Sequence, residues 1–147
     1  MDMGRINEAI EEQRKWCDSE PDCARAHVAY AYALQKANLL DQACIEIEKA
    51  QAIHAEDIGV QAMAGDILAK AGRYEEAFLC WDKAYELDPS DIACLFSKAE
   101  TLAGIGETEQ AIAEFENILR WLEKHKFNLD IEGVYPCRRI EELRHSR

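Results

Sequence analysis

The chain of 147 residues carries 17 Lys and Arg against 29 Asp and Glu, a formal net charge of −12. That sign argues against a binder that must neutralise nucleic-acid phosphates or an anionic membrane surface, and it favours a neutral or basic partner. With 48% hydrophobic residues, the chain is long and apolar enough for one domain with a continuous core.

Residues 5–18 read as a lone helix, closed by Ser19-Glu20-Pro21. Apolar spacing then predicts helices over about 25–37, 41–53, 59–71, 74–87, 92–104 and 107–125. The last of these is extended, because ILRWLEKHK contains no proline stop. Asn128, Asp130 and Gly133 interrupt the pattern with turn-prone residues. Pro136 suits the first turn of a short helix over 136–145, with Ile140 and Leu143 facing inward. That segment reads as an end cap with a polar outer face. The segment 126–135 has enough apolar character, in Phe127, Leu129, Ile131, Val134 and Tyr135, to fold back over a groove.

A fixed step of 34 residues runs through these elements. Gly4, Asn38, Gly72 and Gly106 form one series, Ala9, Ala43, Ala77 and Ala111 a second, and Trp16, Ala50, Ala84 and Ile118 a third. Pro21 and Pro89 lie two periods apart. A constant period of this length marks stacked repeats. Gly or Asn enters the left-handed backbone region cheaply, so the first series marks the turn that stops one helix of each pair. Each alanine five residues later lets two helices approach closely.

The pattern resembles the tetratricopeptide repeat family. Its best unit spans Ile58 to Asp91, where Gly65, Gly72, Tyr74, Ala77, Trp81, Ala84, Leu87 and Pro89 fall at the family's positions. Residues 24–57 match through Leu34, Asn38, Ala43 and Ala50, and 92–125 through Leu95, Ala99, Leu102, Gly106, Ala111 and Phe115. Departures are His27 and Gln61 in place of a large aromatic, Ala55 and Glu123 in place of proline, and Ile118 in place of a small residue. The resemblance implies an all-α, right-handed superhelix of helix pairs forming a single domain over 1–147. It would comprise a half-repeat over 1–23, three repeats over 24–57, 58–91 and 92–125, and a loop with a capping helix over 126–147.

The register makes Gly4 the turn of a unit whose first helix is missing, leaving Ile6, Ile10 and Trp16 short of packing partners. A longer array, a second copy of the chain or a tolerated worn end would each account for this. Ile6, Ile10 and Trp16 are therefore the candidates for self-association into a homo-oligomer.

Chemistry-bearing residues are sparse. Cys17, Cys23 and His27 have C-x5-C-x3-H spacing, unlike the tight pairs of zinc sites, so no metal or other cofactor is expected. The six cysteines include no CxxC pair, and the polar start MDMGRINEAIEEQ is unlike a secretory leader, so a reducing, cytoplasmic setting is expected. Cys44, Cys80 and Cys94 read as small core residues. The pairs Glu11-Glu12, Glu46 and Glu48, Glu75-Glu76 and Glu141-Glu142 read as solvated helix faces. With no base, nucleophile and charge stabiliser in one constellation, the chain is not expected to be an enzyme.

The family's first helices line a concave groove that holds extended peptides or helices, which implies a non-catalytic protein-interaction module. Register places Arg25, Val28, Tyr32, Gln35 and Lys36 of the first unit on that groove. Ala62, Asp66, Ala69 and Lys70 follow from the second unit, and Ala93, Phe96, Glu100 and Ala103 from the third. Chaperone-docking members clamp a terminal carboxylate with Lys, Asn and Arg. The matching positions here hold Val28, Tyr32, Met63, Ala93 and Ser97, so no chaperone-tail binding is expected. The alternatives are a self-assembling scaffold or an accessory domain of a larger regulator.

Overall fold

The computed structural model describes residues 2–127 and 132–146. Among them are eight helices and no strand: α1 (Met3–Ser19), α2 (Ala24–Lys36), α3 (Leu40–Ile53), α4 (Ile58–Lys70), α5 (Tyr74–Leu87), α6 (Ala93–Gly104), α7 (Thr108–Lys124) and α8 (Val134–His145). They fall into two compact units, Met1–Asp88 with α1–α5 and Pro89–Arg147 with α6–α8. The expected all-α pattern of helix pairs is therefore present, as α2/α3, α4/α5 and α6/α7. α7 runs to Lys124, as the missing proline predicts, and α8 begins two residues before Pro136, which occupies its first turn.

The turns within the pairs show why the 34-residue series exists. Asn38, Gly72 and Gly106 have φ of 61°, 81° and 87°. At each, the next residue's N–H bonds back across the helix end: Leu39 to the Leu34 carbonyl, Arg73 to Leu68 and Glu107 to Leu102, all at 2.9 Å. This left-handed cap satisfies carbonyls that would otherwise be orphaned and reverses the chain within three residues. Gly4 departs from the expectation. It lies in the first turn of α1, where its N–H bonds the Asp2 carboxylate at 3.2 Å. Gly4 is helical and is absent from the glycines of positive φ, so it forms no turn there.

The other series are core lines. Ala43, Ala77, Ala111, Ala50 and Ile118 are fully buried and Ala84 nearly so, whereas Ala9 and Trp16 on α1 are half-buried. A further pair of positions trades volume. Gly65 lies against the Trp81 indole, and a Cβ built there would come within 2.4 Å of the ring nitrogen. One period either side, these positions hold Ala31 with Ile47 and Ala99 with Phe115, all fully buried. The largest side chain thus accompanies the residue with no side chain.

His27 and Gln61, the polar residues at an expected aromatic position, have a shared structural role. His27 Nε2 is 2.7 Å from the Pro21 carbonyl, and Gln61 Nε2 donates to the Ala55 carbonyl at 2.7 Å. Each ties the start of its helix to the preceding connection. In the second unit Leu95 stands at this position and has no donor. The equivalent carbonyl, that of Pro89, accepts instead from Trp121 Nε1 at 2.9 Å.

Candidate binding groove

Residues three and four apart share a helix face, and on α2 this brings Arg25, Val28, Ala29 and Tyr32 to the wall of a cleft of about 660 Å³. The opposite wall is Gly59, Val60 and Met63 of α4, with His54 and Asp57 from the connection and Trp16 from α1. Val28, Ala29, Val60, Met63 and Trp16 make the lining mostly apolar. Tyr32 is 44% exposed, and the Lys36 ammonium stands 5.0 Å from the centre of its ring, within cation–π range. Asp57 is held as the N-cap of α4, accepting from Val60 N at 2.9 Å.

Of the residues assigned to the groove by register, Arg25, Val28 and Tyr32 line this cleft, and Lys36 covers its tyrosine. Gln35 is buried, so it is withdrawn from the open face, a correction to the sequence expectation. Ala62, Asp66 and Lys70 lie on α4 without lining the cleft. Asp66 accepts a hydrogen bond from Trp81 Nε1 at 3.3 Å. Burial of its carboxylate raises its pKa, against the lowering effects of that bond and of Lys70. The cleft residues missed from the sequence are chiefly Val60, Met63, His54, Asp57 and Trp16. His54, Asp57 and Trp16 lie outside the first helices to which register was applied, whereas Val60 and Met63 lie on α4 itself, beside the positions that register assigned to the groove.

In the second unit, Phe96 borders a hollow of about 450 Å³ with Ile92, Trp121, Leu122 and Phe127. Glu100 is not free for a ligand, which corrects its assignment. Arg139 of α8 grips it through Nε at 3.0 Å and Nη2 at 3.1 Å, and the Tyr135 hydroxyl donates to the same carboxylate. That bond, with burial, raises the Tyr135 pKa. The Tyr135 ring lies 6.1 Å from Phe96 and 6.4 Å from Phe115. The cap therefore lies on the face that register assigned to a partner. Of the segment read as able to fold back, Leu129 and Ile131 lie outside the described residues, and the Phe127 ring lies tilted against Trp121 with centroids 5.6 Å apart.

At the N-terminus, Ile6 is buried within its own unit rather than left exposed, because α1 packs on α2. Ile10 is half-buried and Trp16 lines the cleft. The outward side of α1 is charged, with Arg5, Glu8, Glu11, Glu12 and Lys15 exposed.

Among the thiols, burial pushes Cys17 up to about 11, with Glu46 adding to it, and burial likewise raises Cys44 and Cys80. These thiols stay protonated near neutral pH, which suits packing rather than nucleophilic attack. Glu46 corrects the reading of its pair as a solvated face. It is buried, with Oε2 2.8 Å from His27 Nδ1 and Oε1 accepting from Lys49 at 2.7 Å. Cys17, His27 and Glu46 bring their ligand atoms within 4.8 Å of one another. Cys23 is no part of that group and instead occupies the N-cap position of α2, with no side-chain cap bond.

Residues 60–91 match the family model described as tetratricopeptide repeat. A TPR repeat-containing protein of Treponema pallidum (strain Nichols) is 25% identical over 126 residues, covering 85% of this chain and 16% of its own length. The chain spans 16% and 22% of the lengths of the curated relatives it matches. Among solved structures, MamA superposes with a TM-score of 0.72 at 22% identity, over 86% of this chain and 74% of its own. YrrB, a TPR protein with an unusual peptide-binding site, superposes with a TM-score of 0.61 at 19% identity, over 78% of this chain and 58% of its own. No described helix is long and apolar enough to cross a membrane.

Proposed function

Since the chain belongs to the tetratricopeptide repeat family, we propose that it is a non-catalytic protein-interaction module whose cleft between α2 and α4 takes a peptide or helix segment. The observation that carries this reading is the pairing of an apolar floor, Val28, Val60 and Met63, with the exposed Tyr32 at its edge. A concave apolar site with a few polar groups at its rim is the usual form of a binding site. Helices that are already formed add little ordering cost on binding. Val28 and Met63 stand where a carboxylate clamp would need polar side chains, so the cleft favours an internal apolar anchor over a chain terminus. The net charge of −12 favours a neutral or basic segment. The peptide-binding site of YrrB supports the reading by analogy. Six free thiols suit a reducing compartment such as the cytoplasm. Assembly through Ile6, Ile10 and Trp16 is the weaker reading, since α1 presents charge outward.

Selection from a displayed random-peptide library tests the proposal. Peptides with a large apolar anchor are expected to bind the wild type and to lose at least about tenfold in affinity against Val28→Glu, the scale of one lost apolar anchor. Failure to enrich any peptide, or equal binding to the variant, would overturn it.

A further inference from the structure

The first two repeats tie their connections to the next helix in the same way, but the groups behind that tie differ. Gln61 Nε2 donates to the Ala55 carbonyl, and its Oε1 accepts from Gln51 Nε2 at 3.0 Å. Gln51 Nε2 also lies 3.3 Å from Cys80 Sγ. Each of these contacts pairs a donor with an acceptor. One period earlier, Gln61 becomes His27, Gln51 becomes Cys17 and Cys80 becomes Glu46. A carbonyl only accepts, so the 2.7 Å contact with the Pro21 carbonyl puts a hydrogen on His27 Nε2. In the neutral ring Nδ1 then carries the lone pair, and it faces the Glu46 carboxylate at 2.8 Å. Where the second repeat places an amide N–H, the first brings together a thiol sulfur, an imidazole nitrogen and a carboxylate oxygen. All three residues are buried.

We propose that Cys17, His27 and Glu46 bind one transition-metal dication of the zinc class, with water as a fourth ligand. Mixed sulfur, nitrogen and oxygen donors suit such an ion. The bond from His27 Nε2 to a backbone carbonyl is the support that a ligating histidine usually has, fixing its tautomer and aim. Lys49 holds the other carboxylate oxygen and leaves Oε2 to the ion. Bond lengths of about 2.0–2.3 Å set tetrahedral ligand atoms roughly 3.3–3.7 Å apart. The three atoms lie within 4.8 Å of one another, so the shift needed is small. As the metal–sulfur bond forms, the thiol proton leaves to solvent. The ligands come from α1, α2 and α3, so the ion staples the N-terminal helix to the first repeat.

Zinc alone, titrated into the metal-free full chain against a chromogenic chelator, tests this, in a Cys23→Ser/Cys137→Ser background that removes the more exposed thiols. The expected result is one ion per chain and a raised thermal midpoint. Cobalt(II) in its place should give a thiolate charge-transfer band that Cys17→Ser abolishes. His27→Gln, which can keep the Pro21 tie as Gln61 keeps that to Ala55, should weaken zinc binding more than about tenfold. The triple variant Cys17→Gln/His27→Gln/Glu46→Cys rebuilds the second repeat's network and should fold without binding zinc at this site. No binding by the parent chain, which would leave only a proton between His27 and Glu46, overturns the proposal. So does equal binding by the parent and the triple variant.

Discussion

Gly65 shows how one position is set by its neighbour. A methyl group there would overlap the buried Trp81 indole, and a close-packed interior leaves little room for such a ring to give way. Gly65→Ala should therefore cost about 1–3 kcal/mol, the range for overpacking a core. The third repeat pairs Ala99 with Phe115 at the same positions, so adding Trp81→Phe should recover part of that loss. Chemical denaturation of the two single variants and the double gives the coupling directly. Additive losses would show that the two positions do not share one volume.

Helix starts differ in a way that the repeat register makes visible. Asp57 caps α4 through its side chain, and one period on Asp91 bonds Ala93 N at 2.9 Å. The position one period before Asp57 is Cys23, whose φ and ψ of −90° and 106° lie close to the −94° and 123° of Asp57 but which makes no cap bond. Cys23→Asp should supply the missing acceptor and stabilise the protein by about 1 kcal/mol in a urea titration. An unchanged or lower midpoint would contradict the equivalence of the α2 and α4 starts. At this scale the sequence was highly legible. Apolar spacing and the 34-residue register located the helices to within two residues at their starts, because helix-face burial, positive φ and close helix approach each restrict residue choice sharply. Gly4 misled because it falls in register with the turn positions yet lies inside α1. Glu46 misled because helix-face patterning cannot see a histidine reaching it from 19 residues away. The signal was nonetheless present, in the alignment of Cys17, His27 and Glu46 with Gln51, Gln61 and Cys80.

For the whole molecule, the site was legible only in part. Register reported which face of α2 is presented and placed Arg25, Val28 and Tyr32 on the cleft. It could not report that α8 would engage Glu100, because that contact depends on Tyr135 and Arg139 beyond the last repeat, where the period stops. The consequence is that the open apolar cleft lies in the first unit, while the corresponding face of α6 already carries a helix of the same chain. Binding is therefore predicted at α2 and α4. Amide hydrogen exchange, with and without a selected peptide, tests that location most directly. The account predicts added protection over Arg25–Tyr32 and Ile58–Met63. Protection confined to α6–α8, or to the outward face of α1, would contradict it.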